Sequence, residues 1–203
     1  MATLTLLAAA ALATLSPLRA QEAAVHHHHT DAPAAPIPAN SRFKVSVPDV
    51  EVMTQNGAKQ RFPLLLTGKA VVINFIFTTC TTICPLMGAN FAKLEKQLGE
   101  HAGHEVTLLS ISVDPVTDTP ARLKAWKQRF STGSDWVLVT GAKPDIDRLL
   151  RAFGAYTPDK GDHAPLVVVG TPASGEWTRA NALASPEQIA ALALHMAGGG
   201  GQP

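Results

Sequence analysis

Residues 69–85 read KAVVINFIFTTCTTICP and run directly from the most apolar stretch of the chain's interior into its two cysteines. Lys69–Phe77 is nearly continuous in apolar and β-branched residues, which is typical of a strand buried on both faces. Cys80 and Cys84 follow, and apolar residues from Met87 onward recur at helical spacing. The stretch therefore predicts a strand, a cysteine loop and a helix, with the loop at the carboxyl end of a buried strand, where α/β folds place their sites.

Further strands and helices alternate along the rest of the chain. Strands are predicted at Val106–Val113, at Trp136–Thr140 and at Leu166–Val169, where Gly170 ends the last of them. Helices are predicted to start with the proline of Thr119-Pro120, to span the amphipathic stretch Ile146–Phe153, and to follow the capping box at Ser185–Gln188. Upstream, Asn56-Gly57 predicts the turn of an N-terminal β-hairpin over roughly 44–52 and 59–65. We predict an α/β sandwich whose central sheet is mostly parallel and flanked by helices.

Composition excludes several classes of protein. The chain has 203 residues and a formal net charge of +1, so nothing favours a nucleic-acid partner. Downstream of residue 20, no apolar run approaches the length of a membrane span. Two cysteines are too few for a disulfide scaffold or an all-cysteine zinc site.

The two ends of the chain look unlike the middle. Residues 1–20 resemble a secretory signal that ends at Ala20, and the lack of Lys or Arg in the first three residues leaves an uncleaved anchor as the alternative. Export predicts a periplasmic protein, soluble or tethered by this segment, which would be its only membrane contact. Residues 21–42 read as an Ala/Pro/His-rich tether, 43–197 as the folded domain and 198–203 as a disordered tail.

The tether contains a run of four histidines, His26, His27, His28 and His29. One interpretation is a solvated linker. The other is a loose metal-collecting tract, because neutral imidazole binds copper, zinc and nickel.

The cysteine pair admits three interpretations: a local disulfide, a redox pair or a metal site. Cys84 precedes Pro85 at a predicted helix N-terminus, where the helix dipole should favour its thiolate. Three residues separate the cysteines, whereas dedicated disulfide oxidoreductases usually have two. Two close thiolates form a soft site that suits Cu(I), and an added imidazole would also allow Cu(II) to be held.

His163 is the histidine best placed to join the cysteines. It lies in the loop Gly161–Pro165 that enters the strand at Leu166, and in a thioredoxin-like arrangement this loop packs against the cysteine loop. Asp162 could then act in the outer shell of a metal. The remaining downstream histidines, His101, His104 and His195, are read as solvated or as helix-terminal residues.

Three motifs in register resemble the SCO/SenC family of copper proteins: C-x-x-x-C-P at 80–85, S-V-D-P-x-x-D-T-P at 112–120 and D-H at 162–163. The resemblance covers about residues 43–197 and implies a thioredoxin-like fold that binds one copper ion, Cu(I) or Cu(II), through Cys80, Cys84 and His163. It also implies a role in copper delivery to, or thiol preparation of, the binuclear copper centre of cytochrome c oxidase. The expected partner is the copper-site subunit of that oxidase or another copper chaperone, and the expected state is a monomer.

Two aspartates of the second motif have competing interpretations. Asp114 is either a turn-forming residue or an acidic residue near the metal site, and Asp118 is interpreted as a cap of the following helix. The Ala164-Pro165 step resembles the cis-proline position of thioredoxins.

Three functions remain open. The first is a metallochaperone rather than an enzyme. The second is a thiol–disulfide reductase in which Cys80 and Cys84 are the working pair, and the third is a copper or redox sensor. A peroxidase fits least, because its usual T-x-x-C environment is not clearly present.

Overall fold

The computed structural model describes residues 42–199. It contains eight strands and four helices, with single turns of 3-10 helix at Phe62–Leu65, Gly99–His101 and Lys160–Asp162. In chain order the elements are β1 (Arg42–Lys44), β2 (Glu51–Thr54), β3 (Lys59–Arg61), β4 (Ala70–Ile76), α1 (Cys84–Leu98), β5 (Val106–Ser112), α2 (Pro120–Gln128), β6 (Trp136–Thr140), α3 (Lys143–Phe153), β7 (Leu166–Thr171), β8 (Glu176–Asn181) and α4 (Pro186–Ala197).

The eight strands of this region form one sheet in the order β1-β8-β7-β4-β5-β6-β2-β3. The predicted α/β class, with helices flanking a central sheet, is confirmed, and the sheet is mixed. Only β4, β5 and β6 run parallel to one another, and every other pairing is antiparallel. Parallel pairing is less extensive than expected because the connection from α3 returns to the edge where β4 ends. Strand β7 therefore runs back along β4, pairing Asn74 with Val167 and Val71 with Gly170.

Strand β4 is buried along its whole length, as its apolar run predicts. Val72 and Ile76 face a core shared with α1, α2 and α4, whereas Val71 and Phe75 face a second core formed with α3. Helices therefore cover both faces of the sheet, and the loop after β4 emerges between the two layers.

A hairpin around Asn56-Gly57 is present as β2 and β3, which pair antiparallel, but the predicted bounds of its first strand are wrong. That strand begins at Glu51 rather than near residue 44, and Arg42–Lys44 is a separate strand that pairs with β8. The hairpin turn contains Gly57 at a φ of 82°, a conformation that glycine adopts without strain. The second strand is shorter than predicted. It ends at Arg61, and Phe62–Leu65 forms a 3-10 turn because Pro63 has no N–H with which to continue the ladder.

Helices α2 and α4 begin where the sequence predicts. Thr119 caps α2 by accepting a hydrogen bond from the Arg122 N–H at 3.3 Å. Ser185 and Gln188 form the complete capping box of α4. The capping role assigned to Asp118 is wrong, since the N-cap is Thr119 and Asp118 is buried one residue before it.

The end of β7 differs from the prediction. The strand continues through Gly170 to Thr171, because Trp177 of β8 lies directly over the glycine and a Cβ there would collide with the indole. Gly170 is thus a position of close approach rather than a stop. Before β7, the Ala164–Pro165 bond is trans, and residues 42–199 contain no cis peptide bond.

Candidate metal centre

The cysteine loop, residues 77–83, connects β4 to α1. It begins with a tight turn, in which the Cys80 N–H donates to the Phe77 carbonyl at 3.2 Å. The Cys84 N–H donates to Cys80 Sγ at 3.4 Å, so this sulfur accepts a hydrogen bond from the N-terminus of α1. Both cysteines are free thiols. Cys80 is 9% exposed and Cys84 is fully buried, so Cys80 is the more accessible of the two.

The two sulfurs differ in acidity. Burial alone would raise the pKa of Cys80, but hydrogen bonds from the backbone and side chains of Cys84 and Thr82 outweigh burial and lower it to about 7. Burial raises the pKa of Cys84 to about 12, and the negative charges of Cys80 and Asp118 act in the same direction. The expectation that helix position makes Cys84 the thiolate is therefore wrong. The helix N-terminus stabilises the Cys80 sulfur instead, and burial keeps Cys84 protonated.

Iodoacetamide is expected to alkylate Cys80 before Cys84 in the reduced protein. Because the thiolate is the nucleophile, the Cys80 rate should rise with pH and be half-maximal near its pKa of about 7. Cys84 should remain unlabelled through the neutral range, since its pKa is about 12. Peptide mapping by mass spectrometry distinguishes the two sites. Equal labelling, or earlier labelling of Cys84, would contradict the assignment.

His163 lies at the same edge of the sheet as the cysteine loop. Its Nε2 is 2.8 Å from the Phe75 carbonyl, and its ring packs edge-on against the Phe75 ring. A carbonyl only accepts hydrogen bonds, so Nε2 carries the proton and Nδ1 carries the lone pair. Burial lowers the pKa of His163, which keeps the imidazole neutral. A neutral imidazole is the form that binds metals.

The three predicted ligands lie at the same edge of the sheet, but their side chains are not arranged around one point where a metal ion could bind. Among residues 42–199, no group of three or more His, Cys, Asp or Glu side chains is arranged to hold a metal ion. His163 and Cys80 instead bond to neighbouring carbonyls at the end of β4, those of Phe75 and Phe77. The assignment of Cys80, Cys84 and His163 as ligands therefore remains a prediction, and a shift of the histidine would be needed to complete it.

Asp114 connects the loop after β5 to the segment that carries His163. Its carboxylate forms an ion pair with Lys160 at 2.5 Å, and its side chain is only 12% exposed. Burial would raise the pKa of Asp114, but hydrogen bonds from Lys160 and Thr117 lower it. Asp162 is different. It is exposed, and its carboxylate makes no hydrogen bond or ion pair with any residue of the region that the structure describes.

Asp118 is the functional candidate that sequence reasoning missed. Its carboxylate is fully buried and accepts hydrogen bonds from the Thr78 N–H at 3.1 Å, the Thr78 hydroxyl at 2.6 Å and the Ser112 hydroxyl at 2.7 Å. Thr78 is the second residue of the cysteine loop, so Asp118 holds that loop close to the point where it leaves β4. The motif segment that contains Asp118 was the available signal, but its position beside a helix start suggested a cap.

The remaining histidines are the four ligand candidates of the tether and the residues interpreted as solvated or helix-terminal. His26, His27, His28 and His29, with the predicted signal, most of the tether and the end of the tail, are outside the described residues. His101 pairs with Glu105 at 2.5 Å, and His195 is exposed on the last turn of α4.

A mixed sheet with helices on both faces and a cysteine pair between strand and helix defines a thioredoxin-like protein. The family model of SCO1/SenC matches residues 45–192, and the chain belongs to this family.

Individual relatives agree with this assignment. The chain is 39% identical to the SCO1 protein homolog of Bacillus subtilis (strain 168) over 93 residues, which are 44% of this chain and 48% of that protein. The match thus spans about half the length of that relative.

Two solved structures share the fold over most of their length. A SCO1/SenC family lipoprotein from Bacillus anthracis str. Ames has 29% identity and a TM-score of 0.65, covering 78% of this chain and 98% of its own. Bradyrhizobium japonicum ScoI with copper bound has 25% identity and a TM-score of 0.61, covering 72% of this chain and 96% of its own.

Within residues 42–199, none of the helices has the length and apolar character required to span a bilayer.

Proposed function

We propose that this chain is a copper metallochaperone for the binuclear copper centre of cytochrome c oxidase. The observation that carries the proposal is the pair of sulfurs, one in the cysteine loop and one on the first residue of α1, at the sheet edge where a neutral imidazole also lies. The donor set fits the cargo, because two thiolates suit Cu(I) and an imidazole allows Cu(II) to be held as well. One copper ion is expected per domain, bound by Cys80, Cys84 and His163.

Similarity supports the proposal. The chain is a SCO1/SenC protein, and the Bradyrhizobium relative binds copper in its crystal structure. The family resemblance gives the receiving partner as the copper-site subunit of the oxidase or another copper chaperone. Residues 1–20 favour export to the periplasm, soluble or tethered, and the Bacillus anthracis relative is a lipoprotein.

Copper binding would require a local change at His163. The Nε2 of the imidazole bonds to the Phe75 carbonyl, and the residues that position it, 161–165, form a loop. The sheet itself need not move, because β7 begins only at Leu166.

The proposal is tested by anaerobic titration of the reduced full-length chain with Cu(I) and with Cu(II). All variants carry alanine at positions 26–29, because that histidine run could bind metal by itself. Thiolate-to-copper charge-transfer absorption is expected at one equivalent and should be lost in Cys80→Ser and Cys84→Ser. His195→Ala is the matched control. A band that survives either cysteine replacement would contradict the thiolate site.

A thiol–disulfide reductase is the second candidate, and the unequal acidity of the two cysteines favours it. Cys80 would attack a partner disulfide, and Cys84 would then displace the reduced partner and close the Cys80–Cys84 disulfide. This activity should survive His163→Ala, whereas Cu(II) binding should be strongly weakened. Failure of the reduced, copper-free chain to reduce an oxidised dithiol partner would exclude it.

A further inference from the structure

A shallow cleft of about 300 Å³ opens beside the cysteine loop. The loop supplies one wall and helix α2 the other, and the lining residues are Thr78, Thr79, Arg122, Ala125, Trp126 and Arg129. Thr79 immediately precedes Cys80, so the backbone at the edge of the cleft is about 3.8 Å from that of the less buried cysteine, which does not itself line the cleft.

Helical spacing explains how α2 forms its wall. Positions 122 and 125 are three residues apart on one face of the helix, and Arg129, the C-cap with near-helical backbone angles, follows four residues later on the same side. Both arginines are exposed on this face, and the small Ala125 between them leaves room for a ligand. The buried Trp126 supports the wall from behind.

The cleft is cationic. No acidic side chain lines it, and neither arginine forms an ion pair with an acidic residue within 42–199. Arg122 donates to the Thr117 carbonyl at 3.4 Å, and the Arg129 guanidinium lies 5.5 Å from the Phe130 ring centre. A guanidinium that rests on an aromatic ring still presents its edge N–H groups, which match a carboxylate.

We propose that this cleft binds the carboxylates of small anionic disulfides and thiols, of the glutathione type, that exchange with Cys80. A small ligand is favoured because the volume of about 300 Å³ lies at the lower end of small-molecule sites. The inference rests on the proposed function only in requiring that Cys80 be a reactive thiol.

The exchange step is balanced without a further reagent. The Cys80 thiolate attacks one sulfur of the anionic disulfide, a Cys80–sulfur bond forms and the original sulfur–sulfur bond breaks. The departing thiolate takes the electron pair. The arginines act on the carboxylates of the reagent and take no part in the bond changes.

The test compares three disulfides on the reduced, metal-free full-length chain. Dithiobis-nitrobenzoate carries two carboxylates, dithiodipyridine is uncharged and cystamine carries two ammonium groups. The measured quantity is the ratio of the anionic to the uncharged rate, because any change in the intrinsic reactivity of Cys80 cancels in that ratio. Arg122→Gln, Arg129→Gln and the double variant are compared with Lys124→Gln. Lys124 is exposed on the same helix but does not line the cleft.

We expect the double variant to lower this ratio by about five- to ten-fold, because each exposed charge contact that is lost contributes only a small free energy. Lys124→Gln should leave the ratio unchanged, and cystamine should show the opposite trend. About 0.5 M salt should reduce the wild-type ratio in the same direction.

A ratio that is unchanged in the double variant, or that falls equally in Lys124→Gln, overturns the cleft assignment. If dithiodipyridine itself fails to react with the wild-type chain, the reactivity of Cys80 is refuted. The proposal that the cleft binds anionic disulfides is then refuted as well. These outcomes separate a failure of the cleft from a failure of the proposed thiol chemistry.

Discussion

Replacing Asp118 with alanine is expected to lower the free energy of unfolding by about 3–5 kcal/mol, in the range of lost buried polar networks. The carboxylate accepts hydrogen bonds from the Thr78 backbone, the Thr78 hydroxyl and the Ser112 hydroxyl, and all of these would lose their acceptor. The shift would appear in the urea midpoint with an unchanged slope.

Two control variants distinguish the loss of these buried hydrogen bonds from the loss of a negative charge in general. Asp118→Asn keeps the size and one acceptor oxygen, so it should destabilise less than alanine. Asp145→Ala removes an acid whose ion pair with Arg148 lies at the surface, and should change stability by less than about 1 kcal/mol. If Asp118→Ala behaves like Asp145→Ala, Asp118 does not hold the cysteine loop.

Replacing His163 with alanine is expected to weaken Cu(II) binding by about a hundred-fold or more, since even the outer-shell partners of ligands are worth 10–100-fold in affinity. Cu(I) binding should change far less. The reason is chemical: two thiolates satisfy the soft Cu(I) ion, whereas Cu(II) needs the imidazole. Competition titrations with a chelator of known affinity measure both ions.

His195→Ala is the matched control, because His195 is exposed at the far end of α4. It should leave both affinities unchanged. Equal losses of Cu(I) and Cu(II) affinity in His163→Ala would indicate a folding defect. Unchanged Cu(II) affinity would remove His163 from the ligand set.

Much of the fold could be predicted because its signals are local. The apolar run of β4 and the caps at Thr119 and Ser185 each specify one element from a few adjacent residues. Strand direction is not local. Leu166–Val169 has the same apolar pattern whether β7 runs parallel or antiparallel to β4, so the mixed sheet could not be derived from periodicity.

That direction determines where His163 lies. Because β7 is antiparallel, its entering loop reaches the carboxyl edge of β4, where the Phe75 carbonyl holds the imidazole. A parallel β7 would place this loop at the opposite edge, away from the cysteines. The expectation that His163 approaches the cysteine loop therefore came from the thioredoxin-like arrangement rather than from the strand pattern.

The chemistry of the site was harder to predict than its location. Motif spacing identifies the cysteine loop, but the choice of thiolate depends on burial, which the sequence does not give for Cys80 and Cys84. Asp118 was misinterpreted for a similar reason. Its partner Thr78 is forty residues away in the chain, so their contact exists only in the folded protein.

The ion pair between Asp114 and Lys160 limits how far the histidine can travel. Lys160 holds one end of the segment against the loop after β5, and Leu166 anchors the other end in the sheet. His163 is three residues from each anchor, so its backbone stays within about 10 Å of both, the span of three extended residues. If copper binds as proposed, this short connection would confine the accompanying movement of His163 to one loop and leave the sheet in place.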